Sequence, residues 1–222
     1  MSDPMRPIRE TLPIEQARAL VFEALEPVTR TERVPLIEAG GRVAAADVRT
    51  AVDVPPFNRA GMDGYAVIAE DTFGAGRYEP RVLRAIETIY TGETPTRAVS
   101  PGECAEIATG APMPEGATAV VMVEETERSG DQVKVFTPVY PNQHVGRRGA
   151  DMKAGDVAVA RGTLMTPARV GALAAAGVRD VEVYARPRVA ILSTGNEVAE
   201  PGGPLPPGHI YDINRFTLDA IT

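Results

Sequence analysis

The sequence of 222 residues contains one cysteine, Cys104, two histidines and no tryptophan. One cysteine cannot form an intramolecular disulfide, and His144 and His209 lie too far apart for a Cys/His zinc cluster. Cys104 occurs in a strand-like run and is expected to be a small buried hydrophobe rather than a nucleophile. No stretch approaches the roughly 18 apolar residues of a membrane span, and the N-terminus lacks the apolar core of a secretion signal. We therefore expect a cytoplasmic protein with no membrane association.

Positive charge is also scarce. Lysine and arginine number 23 against 30 aspartates and glutamates, so the net charge is −7. This balance argues against a broad nucleic-acid-binding surface, and any anion site must be local. The 21 glycines and 20 prolines predict many turns and short strands.

The first two thirds of the chain predict a helix followed by a β-rich module. Apolar periodicity predicts an amphipathic helix over residues 13–26 and then a short strand over 34–37. The two prolines within 52–57 predict an extended linker. Short β-type runs then alternate with turns between Gly64 and Val145, at residues 65–68, 82–86, 104–108, 119–123 and 132–136. The clearest predicted hairpin joins residues 120–126 to 132–136 through a turn at 127–131.

The last third changes character. Residues 156–160 and 180–184 predict strands, and between them Thr166-Pro167 is typical of a helix start with Gly177 just past its end. Residues 188–192 predict a buried parallel strand that leads into a polar loop. A last helical pattern begins at His209. One strand and one helix cannot complete an α/β sheet, so we expect the chain to end inside a domain.

Two candidate segments lie in the β-rich region. In Gly61-Met62-Asp63-Gly64-Tyr65, the Asp63 carboxylate at a tight backbone position is suited to a metal or a polar group of a substrate. In Thr109-Gly110-Ala111-Pro112-Met113-Pro114, a hydroxyl and neighbouring N–H groups are available to a ligand. Each has a plain alternative, a turn in the first case and a strand connection in the second.

Two further segments lie later in the chain. Arg147 and Arg148, between glycines in Gly146-Arg147-Arg148-Gly149-Ala150-Asp151, suit a phosphate, with a solvated charge pair as the alternative. The small and hydroxyl residues Ser193, Thr194 and Gly195 suit phosphate approach at the end of a strand. Glu197 and Asp212 offer oxygen ligands for a cation such as magnesium, and Asn214 follows.

Together these segments resemble a known family. In this order and at these separations, residues 55–67, 108–117, 146–151 and 189–197 are similar to the molybdopterin molybdenumtransferases, the family of MoeA and the gephyrin E domain. The resemblance implies a multi-domain α+β and α/β fold. A discontinuous helical domain (residues 1–51 and 146–186) carries an inserted all-β domain (52–145), and a truncated α/β molybdopterin-binding domain starts at 187–222.

The resemblance also implies an activity and its residues. Adenylylated molybdopterin would receive molybdate with magnesium-dependent release of AMP. Asp63, Thr109 and Glu197 match catalytic residues of the family, and Glu197 and Asp212 match metal ligands. The implied substrate-binding residues are Arg147, Arg148, Asp151, Ser193, Thr194, Gly195, Asp212 and Asn214. Ile213 departs from the family pattern, because a hydroxyl residue usually stands there.

The implied assembly is a homodimer whose cleft joins Asp63 of one subunit to Glu197 of the other, with a molybdopterin adenylyltransferase as a protein partner. Since family members continue well beyond this length, we expect the chain to be an inactive fragment of the enzyme. Two alternatives stay open at this point. One is a non-catalytic dimerisation or scaffold module of the same family, and the other is a simple phosphate-binding module that uses Arg147 and Arg148.

Overall fold

The computed structural model describes residues 11–222, so the first ten residues of the predicted 1–51 segment lie outside it. The chain forms two compact units, one of residues 32–183 and the other of the residues up to 31 together with 184–222. The elements in chain order are α1 (Ile14–Ala24), β1 (Thr31–Pro35), β2 (Val48–Arg49), β3 (Arg59–Ala60), β4 (Gly64–Val67), β5 (Arg81–Ile89), β6 (Glu103–Ile107), β7 (Ala119–Met122), β8 (Thr126–Ser129), β9 (Gln132–Val135), β10 (Val145–Gly146), β11 (Val157–Val159), α2 (Pro167–Ala175), β12 (Asp180–Tyr184), β13 (Val198–Ala199), β14 (Ile210–Tyr211) and α3 (Asn214–Ile221).

A six-stranded sheet forms the centre of the larger unit, in the order β7-β4-β6-β5-β9-β8. Neighbouring strands are antiparallel except β5 and β6, which are parallel. Each of the five predicted β-type runs falls on one of these strands, so that prediction is confirmed.

Both faces of this sheet are covered. Strand β4 is buried at every position, as expected for the continuous apolar run Tyr65-Ala66-Val67. Alternation sends Tyr65 and Val67 into one hydrophobic cluster and Ala66 into the other. The first cluster also contains Leu83, Cys104, Val121 and Val133, and the second contains Ile89, Ala105, Ile107 and Val120.

The predicted hairpin has the wrong first arm. The observed hairpin pairs β8 with β9 through Gly130-Asp131, with Ser129 opposite Gln132. Gly130 adopts a φ of 64°, which a two-residue hairpin turn favours. Residues 127–129, expected in the turn, are therefore strand, while β7 pairs with β4. Hydrophobic alternation alone did not distinguish the two partners.

The rest of the larger unit packs around α2. The Thr166 side chain accepts a hydrogen bond from the N–H of Arg169, Pro167 is the first helical residue, and Gly177 follows the helix with a φ of 75°. These features confirm the predicted helix. A third hydrophobic cluster joins Leu173 of α2 to residues of β1, β11 and β12. β1 ends at Pro35, where a 3₁₀ turn (Leu36–Glu38) replaces the expected strand.

Two antiparallel chain segments, residues 48–60 and 145–159, connect α2 and its surroundings to the sheet. β3 pairs with β10, β2 pairs with β11, and Val54 bridges Met152. Asp53 lies between these pairs and accepts hydrogen bonds from the Arg148 guanidinium and from the N–H of Ala154 at 2.9 Å. The linker predicted over 52–57 is thus part of a double crossing, which these backbone pairs and the Asp53 carboxylate hold together.

The smaller unit contains α1, α3 and the parallel pair β13 and β14. The predicted helix over 13–26 is observed as α1, but none of its residues is buried. The strand predicted over 188–192 is wrong, since these residues form no strand and Leu192 is 87% exposed. A parallel strand needs a hydrogen-bonded neighbour, and residues 11–222 place none beside this segment. No helix in the described chain is long and apolar enough to cross a membrane.

Strand packing at Gly64 gives a stability prediction. A Cβ at this position would lie 1.8 Å from the carbonyl oxygen of Val121. We expect Gly64→Ala to lower the free energy of unfolding by about 3 kcal/mol, at the upper end of what overpacking costs. Urea unfolding followed by circular dichroism measures this change.

Gly171 provides the matched control, because a Cβ there meets nothing within 4 Å and the residue lies inside α2. Gly171→Ala should raise the free energy of unfolding by up to about 1 kcal/mol through helix propensity. An unchanged unfolding midpoint for Gly64→Ala would contradict the observed strand spacing.

Candidate functional site

A carboxylate and a threonine meet at one end of the six-stranded sheet. Oδ1 of Asp63 accepts hydrogen bonds from the N–H of Thr109 at 2.6 Å and from its hydroxyl at 2.8 Å. Both residues are exposed to solvent. Two of the predicted catalytic residues, 46 positions apart, are therefore a bonded and accessible pair.

Strand register produces this meeting. Asp63 immediately precedes β4 and Thr109 follows β6, and Gly64 lies opposite Ile107 in the antiparallel pair. The start of one strand and the end of its neighbour thus fall at the same edge. The carbonyl of Asp63 also accepts the N–H of Val123 at 3.0 Å, which ties the loop to the end of β7.

The environment keeps Asp63 ionised. The hydrogen bond from the Thr109 N–H, followed by the bond from its hydroxyl, lowers the pKa of the Asp63 carboxyl below its ordinary value. Partial desolvation opposes this shift but does not outweigh it. At neutral pH Asp63 is therefore a negatively charged acceptor with one oxygen committed to Thr109.

A cavity of about 180 Å³ opens beside this pair. Its lining includes Asp63 and Glu106 with apolar walls from Ile89, Ile107 and Val123. Cross-strand register places Tyr65, Glu106 and Thr88 in one row across β4, β6 and β5. The hydroxyl of Thr88 donates to Oε2 of Glu106 at 3.1 Å.

The side chain of Arg128, from the edge strand β8, reaches Glu106 of this row. Its guanidinium donates to the same Oε2 of Glu106 and bonds the Tyr65 hydroxyl. Burial, followed by the charge of Glu106, raises the pKa of Tyr65, so its phenol stays protonated. The charge of Glu106 is therefore offset by Arg128, whereas Asp63 in the same cavity lining stays ionised.

Cys104 is buried in the sheet, as expected. Desolvation raises the pKa of its thiol to about 12. A thiol that stays protonated at neutral pH is a poor nucleophile, so the cysteine belongs to the core.

The two adjacent arginines are not both free to bind an anion. The side chain of Arg148 pairs with Asp53, and the backbone N–H of Arg148 donates to Oδ1 of Asn58 at 2.8 Å. Arg147 is exposed and forms no ion pair within the described residues. Asp151 is exposed and its N–H donates to the carbonyl of Val54 at 2.9 Å. The structure therefore shows a role for Arg148 in joining the two crossing segments.

Three of the later candidate residues line a second cavity, of about 470 Å³, within the smaller unit. Ser193, Gly195 and Asp212 line it together with Arg215. Thr194, Glu197 and Asn214 are exposed residues of the same segments, outside this lining. Gly195 has a φ of 145°, and a Cβ there would lie 2.8 Å from the Glu197 carboxylate. The positive φ favours glycine here, and a Cβ would displace the Glu197 carboxylate from its observed position.

Asp212 is engaged by the start of α3. Its Oδ1 accepts the N–H of Arg215 at 3.0 Å. This bond, followed by one from the Ser193 side chain, lowers the pKa of the Asp212 carboxyl. Among the residues that the structure describes, no three His, Cys, Asp or Glu side chains group as a metal site. The prediction that Glu197 and Asp212 bind magnesium stays a prediction.

The sequence reading did not single out Asp53, Glu106 or Arg128. Glu106 had one signal, since it is a carboxylate inside the otherwise apolar run Cys104–Ala108. Asp53 and Arg128 had none, because their partners lie 95 and 22 positions away.

The chain is similar to one family of proteins. Residues 12–177 match the family model described as the MoeA N-terminal region, domains I and II. Molybdopterin molybdenumtransferase 2 of Mycobacterium tuberculosis is 40% identical over 216 residues, which are 97% of this chain and 52% of that protein. Molybdopterin molybdenumtransferase of Haemophilus influenzae is 38% identical over 212 residues, 95% of this chain and 51% of that protein.

A solved structure shows similarity to the same family. The molybdopterin biosynthesis MoeA protein of Pyrococcus horikoshii OT3 superposes with a TM-score of 0.85 at 38% identity, covering 96% of this chain and 56% of that one. This chain spans about half the length of the curated relatives it matches.

The Asp63–Thr109 pair generates a pH prediction. Thr109→Val removes the hydroxyl donor and keeps the N–H, so the pKa of Asp63 should rise toward its ordinary value while staying below it. Thr109→Ser keeps both donors and should leave the pKa unchanged. Carboxyl ¹³C NMR titration measures the pKa of Asp63 in each variant.

The same pair contributes to stability with a defined sign. The folded pKa of Asp63 is depressed, so its contribution is present at neutral pH and is lost as the pH falls through the folded value. Thr109→Val should therefore destabilise the protein more at pH 7 than at pH 3. A titration curve identical to that of Thr109→Ser would contradict the hydroxyl contact.

Proposed function

The chain belongs to the MoeA family, whose N-terminal region matches residues 12–177, and from this membership we propose that it forms part of a molybdopterin molybdenumtransferase. In the proposed reaction, adenylylated molybdopterin receives molybdate and releases AMP. The substrates are small molecules, and molybdate enters as cargo. The cytoplasmic location and the lack of a nucleic-acid partner stay predictions.

The observation that carries this proposal is the accessible Asp63–Thr109 pair beside the 180 Å³ cavity. Cleavage of a phosphoric anhydride requires a positioned acceptor and polar donors more than a covalent nucleophile. Asp63, ionised and fixed through one oxygen, has its other oxygen available to orient an attacking water. The hydrogen bond from the Thr109 hydroxyl to Oδ1 holds the carboxylate in this orientation.

The remaining residue assignments are part of the same proposal. Glu197 would act as the third catalytic residue. Arg147, Asp151, Ser193, Thr194, Gly195 and Asn214 would bind substrate, while Arg148 would do so only if it left Asp53. The cavity of the smaller unit, with Ser193 and Asp212 in its lining, supports a polar subsite there.

Magnesium stays a prediction. Glu197 and Asp212 are the carboxylates this chain would supply, but Asp212 already accepts bonds from α3 and from Ser193. Magnesium in proteins is usually completed by water and substrate phosphates. A bound magnesium would neutralise negative charge on the substrate phosphates during AMP release.

The proposed domain division places boundaries at residues 51, 145 and 186, with an inserted β domain between two parts of a helical one. The double crossing at Asp53 lies at the first of these boundaries. The start of an α/β domain at 187–222, the homodimer with a cleft shared between subunits, and an adenylyltransferase partner complete the proposal.

The direct test is a chimera in which this chain replaces the matching half of the Haemophilus influenzae relative. It is expressed in cells that lack their own molybdenumtransferase, and molybdoenzyme activity is measured. We expect the chimera to restore activity and Asp63→Asn to reduce it by about 100-fold or more, the usual cost of losing one preorganised electrostatic group.

Thr109→Ser is the matched control and should retain activity, and the 222-residue chain alone should show no turnover with adenylylated molybdopterin. Full activity of a well-expressed Asp63→Asn chimera would refute the proposed role of this site. Normal turnover by the chain alone would refute the expectation that it is inactive without further domains.

One observation favours the second candidate, a dimerisation or scaffold module. Helix α1 has no buried residue, and its apolar side chains Leu20, Val21 and Phe22 are 51%, 58% and 64% exposed. Such a surface is unfavourable in water and is typical of an interface. The two candidates differ in the effect of Asp63→Ala and Glu197→Ala. A scaffold module should keep its partner binding and show no molybdenum phenotype, whereas the enzyme should lose molybdoenzyme activity.

A self-association prediction follows from α1. Sedimentation equilibrium should give twice the monomer mass for the parent chain and the monomer mass for a Leu20→Ser/Val21→Ser variant. Gln16→Ser/Glu23→Ser changes two polar residues of the same helix and should stay dimeric. Monomeric behaviour of the parent chain at micromolar concentration would contradict the homodimer.

A further inference from the structure

A strained turn lies next to the Asp63 loop. Asn142 and His144 have φ values of 67° and 58°, and they are the non-glycine residues with positive φ in the described part of the chain. This left-handed region is costly for residues with a Cβ, although asparagine and histidine tolerate it better than most. Such strain persists only where the surrounding structure fixes it.

The turn is fixed by bonds on both sides. Asn142 donates its N–H to the carbonyl of Thr118 at 2.8 Å, and the carbonyl of Gln143 accepts the N–H of Val120 at 3.2 Å. Val145 pairs with Ala60 in the β3–β10 ladder. Neighbouring strands therefore hold residues 142–145 in their conformation.

The strained residue contacts the loop through its backbone. The carbonyl of His144 accepts the N–H of Gly61 at 2.7 Å. A Cβ on Gly61 would lie 3.1 Å from the same oxygen, so the contact requires glycine or a small displacement. Ala60 is bonded in turn to the Thr109 loop, through Gly110 N–H to its carbonyl at 2.8 Å.

We propose that His144 is a positioning residue for Asp63. Its left-handed backbone directs its carbonyl to Gly61, and this fixes the start of the loop whose third residue is Asp63. The segments 58–63, 108–113 and 142–146 then form one bonded unit in which Asp63 reaches Thr109. The functional importance of this position rests on the proposed function, whereas the positioning itself is a structural statement.

The backbone of His144, rather than its ring, does this. Nδ1 is buried without a hydrogen-bond partner among the described residues, and Nε2 lies 3.3 Å from the side-chain nitrogen Nε2 of Gln143. The ring therefore contributes little visible bonding. Residues that tolerate positive φ should replace His144, and β-branched residues should not.

Three substitutions separate the two roles. His144→Gly and His144→Asn keep the left-handed conformation accessible and remove the imidazole. His144→Val removes the imidazole and strongly disfavours that conformation. The readouts are the Thr109 amide proton shift and the pKa of Asp63 by NMR, both measured on the full 222-residue chain.

We expect the Gly and Asn variants to keep the parent Thr109 shift and Asp63 pKa. In the Val variant, the Thr109 signal should move upfield and the Asp63 pKa should rise, while amides of β9 keep their shifts. Parent values in the Val variant would overturn the proposal. An upfield Thr109 shift and a raised Asp63 pKa in the Gly and Asn variants would overturn it as well, because the ring would then be the essential part.

Gly61→Ala tests the same contact if His144→Val does not fold, and it should raise the Asp63 pKa in the same direction. An unchanged pKa there would also overturn the proposal. In the chimera, His144→Asn should rescue the kcat that His144→Val loses, with KM little changed. If positioning is seen by NMR but kcat is unaffected, it is the proposed role of Asp63 that fails.

Discussion

The position of Asp63, at the end of the six-stranded sheet, depends on how closely β4 packs against its neighbours β6 and β7. Gly64 has no space for a Cβ against the Val121 carbonyl, so the chain enters β4 at a point where only glycine fits. Asp63 is the residue just before this point, and it cannot move far without breaking the first pairs of the ladder. The register of β4 with β6 then brings Thr109 to its carboxylate. The chemistry proposed for Asp63 thus depends on backbone packing more than on any ion pair.

Charge is arranged locally around this site. The protein is acidic overall. Glu106 in the cavity lining is paired with Arg128, whereas Asp63 accepts hydrogen bonds only from neutral donors. One carboxylate is therefore neutralised and structural, and the other stays charged and accessible. Asp53 and Asp212 are structural carboxylates as well. Hydrogen bonds that hold two chain segments at Asp53 and the start of α3 at Asp212 lower their pKa values.

Local signals in the sequence were sufficient where local chemistry decides the structure. Thr166, Pro167 and Gly177 specify the ends of α2, and the apolar runs specify where strands occur. Pairing could not be obtained in this way, because the partner of β9 depends on the Gly130 turn and on competition between β7 and β8. The strand expected over 188–192 failed for a related reason, since an apolar run becomes a strand only beside a neighbour. Asp63 and Thr109 were predicted through family resemblance, but their bond follows from register, and the contribution of His144 follows from a backbone angle.

The most direct test of the account is an NMR map of the chain on addition of adenylylated molybdopterin. If the end of the sheet forms part of the substrate site, the largest amide shift changes should occur at Asp63, Gly64, Tyr90 and Thr109, around the 180 Å³ cavity. Asp63→Asn should reduce these changes. Shift changes confined to other parts of the protein, with these four amides unaffected at saturation, would contradict the account.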